Sequence, residues 1–423
     1  MAGEGTAPRR RLLLVEFFSR GGLLHYSWQL AQGLAAAAPQ TEVVLLTGRR
    51  PECAGAPAGV RLLPRLWTWN PHFRPRGLPR RLVRAWRGGR YLLAWAQVLR
   101  TARREAPDVI LLGDLEHRCD AWFVRRLRRS RAGWHLADIW HNVEAFDRTR
   151  SGRLLRRPAW RPRLARQFDT VFVHGPTLAA QFEGLTGVRP QVIAHGNQNW
   201  LVEQAGPDPE LDRRLQLPPG RPVALLFGTL SAYKGVEVLL RALAAIPERR
   251  RPLALIAGLP TAGVRLEAWQ AEARRLGIAS WVRWEARYIP TPEIAWYFRR
   301  ADLVVLPYVA ASQSGVAHLA LTLGRPLIVT TAGGLQELIA GNGLVVEAGA
   351  VGPLAAALAR LAGDAALRRR QGRRSATLAA TRHDWRAVAR SLLAAWPGAE
   401  PAAAPFDPGA ATVQDGRPRS FKT

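Results

Sequence analysis

Lysine is almost missing from this chain. Of its 61 basic residues only two are lysines, Lys234 and Lys422, and every other one is an arginine. A generic surface cation is therefore Arg here, and a lysine kept inside the body of the sequence marks a place that rejects a wide planar guanidinium. Cysteine is equally scarce, with only Cys53 and Cys119. Two thiols cannot build a four-thiolate metal site or a disulfide framework, and a reducing compartment is the simpler expectation. Acidic residues number 32 against 61 bases, for a formal charge of +29. That balance favours anionic partners: nucleic acid, anionic lipid headgroups or phosphorylated substrates. Long uninterrupted apolar runs are missing too. Leu303 to Gly324 carries no formal charge, but Pro307, Tyr308, Ser312, Gln313, Ser314, Gly315 and His318 break it, so strand, loop and helix fit better than a membrane span. At the start, Glu16 interrupts Leu12–Val15 and no small-residue cleavage site follows, which reads as a first strand rather than a signal peptide. A cytoplasmic protein, soluble or peripheral at the inner face of the membrane, is expected.

What is present is a 423-residue chain with 48% hydrophobic residues, long enough for two domains. Continuous apolar runs recur at Leu12–Glu16, Glu42–Leu46, Asp108–Leu112, Thr170–Val173 and Gln191–Ile193. A second series follows at Val223–Phe227, Leu253–Ala257, Leu303–Leu306, Leu327–Thr330 and Gly343–Val346. Runs that do not alternate belong to strands buried on both faces, hence to parallel sheets covered by helices. Amphipathic stretches lie between them, including Leu24–Ala36, Val236–Ala245, Glu293–Arg299 and Val351–Leu361. The fold class is therefore α/β, with two Rossmann-like doubly wound domains facing a cleft. The expected division is 1–200, a Pro- and Gly-rich linker at 201–221, a second domain at 222–378, a return helix at 379–396 and a disordered tail at 397–423.

Lys234 follows the apolar run Val223–Phe227 and lies between Gly228 and Gly235. Two further turns follow strands in the same half. Ser312-Gln313-Ser314-Gly315 opens the helix Val316–Leu323, and Thr331 to Glu337, with Gly333 and Gly334, is expected to open another. In a parallel sheet these turns share the C-terminal edge, where helix N-termini present unpaired N–H groups and partial positive charge. An ammonium and two such helix ends make a diphosphate cradle. A solvated turn lysine, and Gly and Ser merely favouring turns, are the alternatives.

The order LLFGTLSAYKG, ARYIPTPEIAWYFRRADLVVLPY and SQSGVAHLALTLGRPLIVTTAGGLQE resembles the donor domain of glycosyltransferase family 4, the group 1 glycosyltransferases of GT-B fold. The resemblance covers roughly Val223 to Leu361. Upstream echoes are SRGGLLHYSWQLAQGL, HNVEAFD, FVHGPTLAAQF and VIAHGNQNW. It implies that Lys234 binds the donor diphosphate, with Gly228 in its loop. Gln313, Ser314 and Gly315 would lie against phosphates and sugar, and Arg287, Tyr288 and Ile289 along the base. Gly333, Gly334 and Glu337 match a Gly-Gly-x-x-Glu turn near the donor, and Gly21 and Gly22 a glycine loop facing it. His141 matches a histidine near the reacting sugar on the acceptor side. Retaining transfer from a nucleotide-diphosphate sugar is implied, the diphosphate oxygen assisting the acceptor's proton loss and no metal or other cofactor being needed. The acceptor would be a glycan, a polysaccharide precursor or a lipid-linked molecule.

Two departures qualify the likeness. The loop cation that many members carry is Thr229 or Ser231 here, and the family's paired glutamates fall near Ala311 and Leu319. A QSG subgroup also lacks that pair. No Asp-x-Asp metal pair stands out, Asp208-Pro209-Glu210 lying in the expected linker, and the nine histidines show no tight metal spacing. His141 is read either as a strand-end functional residue or as a satisfied loop histidine, and His174 and His195 as structural turns. Arg74 to Arg104 is basic and aromatic. Arg80, Arg84 and Arg87 share one helical face, and Leu82, Trp86, Leu93 and Trp95 supply apolar surface. Such a helix suits an anionic membrane, and an ordinary solvated helix is the alternative. Besides the transferase, a catalytically silent scaffold that binds a nucleotide or a protein stays open. A nucleic-acid-binding protein has only the charge in its favour, and no nucleic-acid partner is expected.

Overall fold

A computed structural model describes residues 10–53, 55–68, 79–113, 115, 117–130, 133–142, 160–206, 210–261 and 263–396. The expected tail, and the Arg74 end of the basic segment, lie outside these residues.

The first half runs β1 (Arg11–Glu16), α1 (Gly22–Ala37), β2 (Glu42–Gly48), β3 (Val60–Leu66), α2 (Arg80–Glu105), β4 (Val109–Gly113), α3 (Asp120–Ser130), β5 (His135–Trp140), α4 (Trp160–Ala165), β6 (Thr170–His174), α5 (Pro176–Thr186) and β7 (Gln191–Ile193). Its seven strands pair in parallel in the order β3-β2-β1-β4-β5-β6-β7. Then come α6 (Asn199–Glu203), α7 (Glu210–Leu215), β8 (Val223–Phe227), α8 (Val236–Ala244), β9 (Leu253–Ala257), α9 (Leu266–Arg275), β10 (Val282–Glu285), α10 (Thr291–Arg300), β11 (Leu303–Leu306), α11 (Gly315–Thr322), β12 (Leu327–Thr330), β13 (Gly343–Val346), α12 (Val351–Gly363), α13 (Ala365–Ala380) and α14 (Trp385–Leu393). The second sheet is also parallel, in the order β10-β9-β8-β11-β12-β13.

Every residue of β8, β9, β11 and β12 is buried, as apolar strands sandwiched between helices must be. In each sheet the winding reverses at one point, between β1 and β4 and between β8 and β11. Ligand crevices open beyond the strand ends at such points. The loops carrying Gly21 and Lys234 leave β1 and β8, and α11 follows β11, so all three meet that edge.

Three strands depart from the apolar-run rule. β3 carries Arg61, Pro64 and Arg65 and is an edge strand, where proline and exposed charge are tolerated. β10 is the other sheet's edge and leaves Arg283 and Trp284 half-buried. β5 is central but broken by Asp138, a fully buried carboxylate that accepts a 2.8 Å hydrogen bond from Trp140 Nε1. The segment expected as a polar linker holds two short helices, and its Leu201, Leu215 and Leu217 are buried.

The chain returns to its first half through α14. Gly33 of α1 and Gly196 leave room for Trp385: a Cβ at Gly33 would lie 2.6 Å from the Trp385 carbonyl oxygen, and one at Gly196 2.2 Å from its indole. One buried apolar cluster consequently spans both halves, with Leu34, Trp200, Leu319 and Trp385 among its members. Trp95, expected on the apolar surface of the basic helix, is instead core and stacks on Phe123 with ring centroids 5.0 Å apart. No described helix is long and apolar enough to cross a membrane.

Candidate active site

β8 ends at Phe227, and the chain turns through Gly228 (φ +100°) into a single 3-10 turn, Ala232–Lys234. Gly235 closes it at φ +69°, where a Cβ would stand 1.9 Å from the Pro307 carbonyl oxygen, so only glycine fits. This turn aims Lys234 inward. The side chain is buried, and Nζ donates to the Phe227 carbonyl at 3.4 Å and to the Tyr308 hydroxyl at 2.5 Å. A Cβ placed on Gly228 would meet Lys234 Nζ at 3.3 Å and Val316 Cγ2 at 3.4 Å. Val316 sits in the first turn of α11, so ammonium and helix start converge. Tyr308 links them, because its hydroxyl also bonds Ser314, the residue that caps α11 by accepting from Ala317 N at 3.3 Å. Burial pushes the Lys234 ammonium below its ordinary value. It has no carboxylate partner among the described residues. A desolvated cation beside a capped helix N-terminus attracts an anion. Gly315 faces open space there, as do Gly21 and Gly22.

The first half supplies the opposing wall. Glu52 accepts from Gly21 N at 2.7 Å and pairs with His25 Nε2, fixing the turn from β1 into α1. Tyr288 is half-exposed, and its hydroxyl lies within the electrostatic reach of Glu52 and Arg20, so the segment 287–289 faces the Gly21 loop. Arg287 is not a loose cation. Glu293 and Glu285 hold its guanidinium, Tyr297 accepts from it at 3.2 Å, and these carboxylates raise its pKa further. Ile289 is buried beneath.

The third glycine-marked turn differs from expectation. Thr331 to Glu337 opens no α-helix; Leu335–Leu338 forms one 3-10 turn. Gly333 packs on the backbone, where a Cβ would lie 1.9 Å from the Ala311 carbonyl oxygen. Glu337 reaches into the other half. Its Oε1 accepts from Thr177 N at 2.7 Å and from the Thr177 hydroxyl, a carboxylate at the N-terminus of α5. Gln313 Nε2 donates to the His174 carbonyl at 2.8 Å, and a Cβ on Gly334 would meet that amide at 2.7 Å. Gln313 and Glu337 thus form a clasp between the halves.

His141 stands at the end of β5, with Nδ1 3.2 Å from His174 Nε2. Tyr26 packs edge-on against His141, His174 and His195. His195 stacks on His318 at 4.1 Å, and His318 meets His383 at 4.9 Å. Five histidines from both halves therefore form one file along the domain seam. Desolvation drives His141 down to about 3, His195 and His383 to about 4, and His174 and His318 well below the ordinary value. All are neutral imidazoles near pH 7. Sequence spacing hid this file. Its one signal was that positions 141, 174 and 195 follow consecutive parallel strands and must share an edge. Among the described residues no group of three or more His, Cys, Asp or Glu side chains is arranged to hold a metal ion.

Residues 221–364, which contain the Lys234 loop and α11, match the family described as "Glycosyl transferases group 1". The match covers 144 of the chain's 423 residues. A D-inositol 3-phosphate glycosyltransferase of Corynebacterium jeikeium is 34% identical over 187 residues, covering 43% of this chain and 44% of that protein. The matched part is thus under half that relative's length. The sucrose-phosphate synthase of Thermosynechococcus elongatus superposes with a TM-score of 0.69 at 21% identity, covering 91% of this chain and 97% of that one. Anabaena HepE, solved in complex with UDP-glucose, gives 0.63 at 16% identity, over 90% and 98%. These likenesses show the two-domain GT-B fold. Against the family pattern, Ala311 and Leu319 stand where paired glutamates are expected, and both are buried. Ser231 is buried too, which leaves Lys234 as the only cation of its loop.

Proposed function

We propose that the chain is a retaining glycosyltransferase that moves a sugar from a nucleotide-diphosphate sugar to a glycan, a polysaccharide precursor or a lipid-linked acceptor. The observation that carries this reading is the buried Lys234 ammonium, held through Tyr308 and Ser314 against the start of α11. When the glycosidic bond to the donor breaks, charge grows on the departing diphosphate. A preorganised ammonium and a helix N-terminus stabilise it without reorganising. Arg20, exposed on the opposing loop, supplies the second positive charge that Thr229 and Ser231 do not. Neutral His141, held by His174, offers a hydrogen-bonding nitrogen beside the sugar, and the diphosphate oxygen takes the acceptor's proton on the same face. The assignment involves no metal step. HepE, of the same fold, was solved with UDP-glucose, which supports a donor of this chemical class.

A peripheral membrane acceptor fits the surface of α2. Leu82, Trp86 and Leu93 repeat along one face and are 56%, 42% and 51% exposed, and the Arg90 guanidinium lies over the Trp86 ring, 4.9 Å from its centroid. Apolar side chains flanked by cations suit an anionic bilayer surface.

A thermal-shift screen against a panel of nucleotide sugars tests the donor, because a bound ligand raises apparent stability by mass action. Product anomers read by NMR test retention. Tight nucleotide binding with neither hydrolysis nor transfer would favour the silent scaffold. Steeply salt-dependent DNA binding, indifferent to nucleotide sugars, would favour nucleic-acid binding.

A further inference from the structure

The second sheet has a cavity at its other edge, away from the interdomain cleft. Its walls are Asp302 at the start of β11, the turn Gly324–Pro326 before β12, and one face of α13, around an open pocket of 380 Å³. Four of its lining residues are arginines, Arg325, Arg368, Arg369 and Arg373, against the single carboxylate Asp302. Gly372 lets the helix cross the turn in backbone contact, since a Cβ there would lie 2.4 Å from the Gly324 carbonyl oxygen.

The internal partners do not balance this charge. Asp302 is already used: Oδ2 accepts from Val223 N at 2.9 Å, and Oδ1 stands 3.9 Å from Arg368 Nε. Arg368 donates to the last carbonyls of α12, at Leu361 and Ala362. Arg325 gives one nitrogen to the Ala301 carbonyl at 3.0 Å, while its Nε is buried with no partner. Arg369 and Arg373 are exposed, four residues apart on one helix face, with no acidic partner among the described residues. Like charges at that spacing destabilise a helix, and α13 contains no acidic residue to relieve them. Burial also holds the Arg325 guanidinium below its ordinary value.

We propose that this cavity binds a small phosphorylated anion, at a site separate from the diphosphate cradle. Guanidinium forks match phosphate oxygens two at a time, and Arg369, Arg373 and the unpartnered Arg325 Nε border one space. The volume exceeds that of a lone phosphate and suits a phosphate ester or a diphosphate. Occupation would brace α13, whose far end meets the domain seam through a 3.2 Å hydrogen bond from Asn197 Nδ2 to the Ala379 carbonyl. The inference does not depend on the transferase reading.

The test is calorimetry with inorganic pyrophosphate on the full chain carrying Lys234→Ala, which weakens the cleft cradle. One binding site should remain. Adding Arg369→Ala and Arg373→Ala should weaken it by roughly tenfold or more, the worth of a lost charge-assisted contact. Adding Arg249→Ala and Arg250→Ala instead removes the same charge from another exposed turn and should leave affinity within about twofold. Equal losses in the two double variants would reduce the effect to general charge, and no pyrophosphate binding at all would also overturn the proposal. Vesicles of phosphatidylglycerol distinguish the sources of phosphate. Wild type and Arg369→Ala/Arg373→Ala should bind them equally. A loss confined to vesicles would assign the arginines to lipid headgroups and refute a soluble ligand.

Discussion

Acidification should break the domain seam. The five filed histidines have folded pKa values below the unfolded 6.5, two of them at about 4 and one at about 3. A group shifted this way stabilises the fold above its unfolded pKa, and that stability is lost as pH falls toward the folded value. At pH 5.5, one unit below 6.5, each histidine costs roughly 1.4 kcal/mol, or about 7 kcal/mol for five as an upper bound, since neighbours interact. Glu16 opposes this. Burial raises its pKa from 4.5 to about 7, so it gains stability on acidification, by about 2 kcal/mol between pH 7.5 and 5.5. Among the described residues, Arg382 also disfavours a cationic His383, and Glu337 of the clasp acts on Arg382. A net loss of about 5 kcal/mol is comparable with the whole stability of many domains and should lower the melting temperature by on the order of 10 °C. Thermal unfolding at pH 7.5 and 5.5 measures it. His383→Asn should return about 1.4 kcal/mol of the acid loss. A melting temperature unchanged over that interval would refute the reasoning.

Glu16→Gln should stabilise the protein at pH 8 by about 3 kcal/mol, because the buried carboxylate is ionised there and the amide is not; denaturant unfolding at pH 8 would count against this if the variant were weaker. Glu337→Ala should lower stability by about 2 kcal/mol, since it strips the start of α5 of its acceptor, yet leave nucleotide-sugar affinity within about threefold. An affinity collapse without a stability loss would return Glu337 to the donor site. Trp86→Ala with Leu93→Ala should reduce binding to phosphatidylglycerol vesicles at unchanged melting temperature, and undiminished vesicle binding would remove α2 from the membrane reading.

Much of the fold was legible because strands buried on both faces must be apolar throughout. All ten expected strands are present, with ends shifted by at most two residues. The three that escaped notice sit at sheet edges or carry a buried acid, where the one-dimensional signal fails. The Lys234 loop and the start of α11 were legible from glycine placement and from the rarity of lysine. Glu337 and Gln313 were not. Their partners, Thr177 and His174, lie more than a hundred positions away, and only the packing of one half on the other brings them together. The return through Trp385 was equally hidden, since Gly33 and Gly196 acquire meaning only once an indole is laid against them.

The most direct test compares two ligands on Lys234→Ala: the nucleotide sugar selected by the donor screen and its bare nucleoside, both by calorimetry. The ammonium at Tyr308 and α11 predicts that the diphosphate ligand weakens by about ten- to a hundredfold while the nucleoside is unaffected. Equal affinities of wild type and variant for the nucleotide sugar would contradict the account.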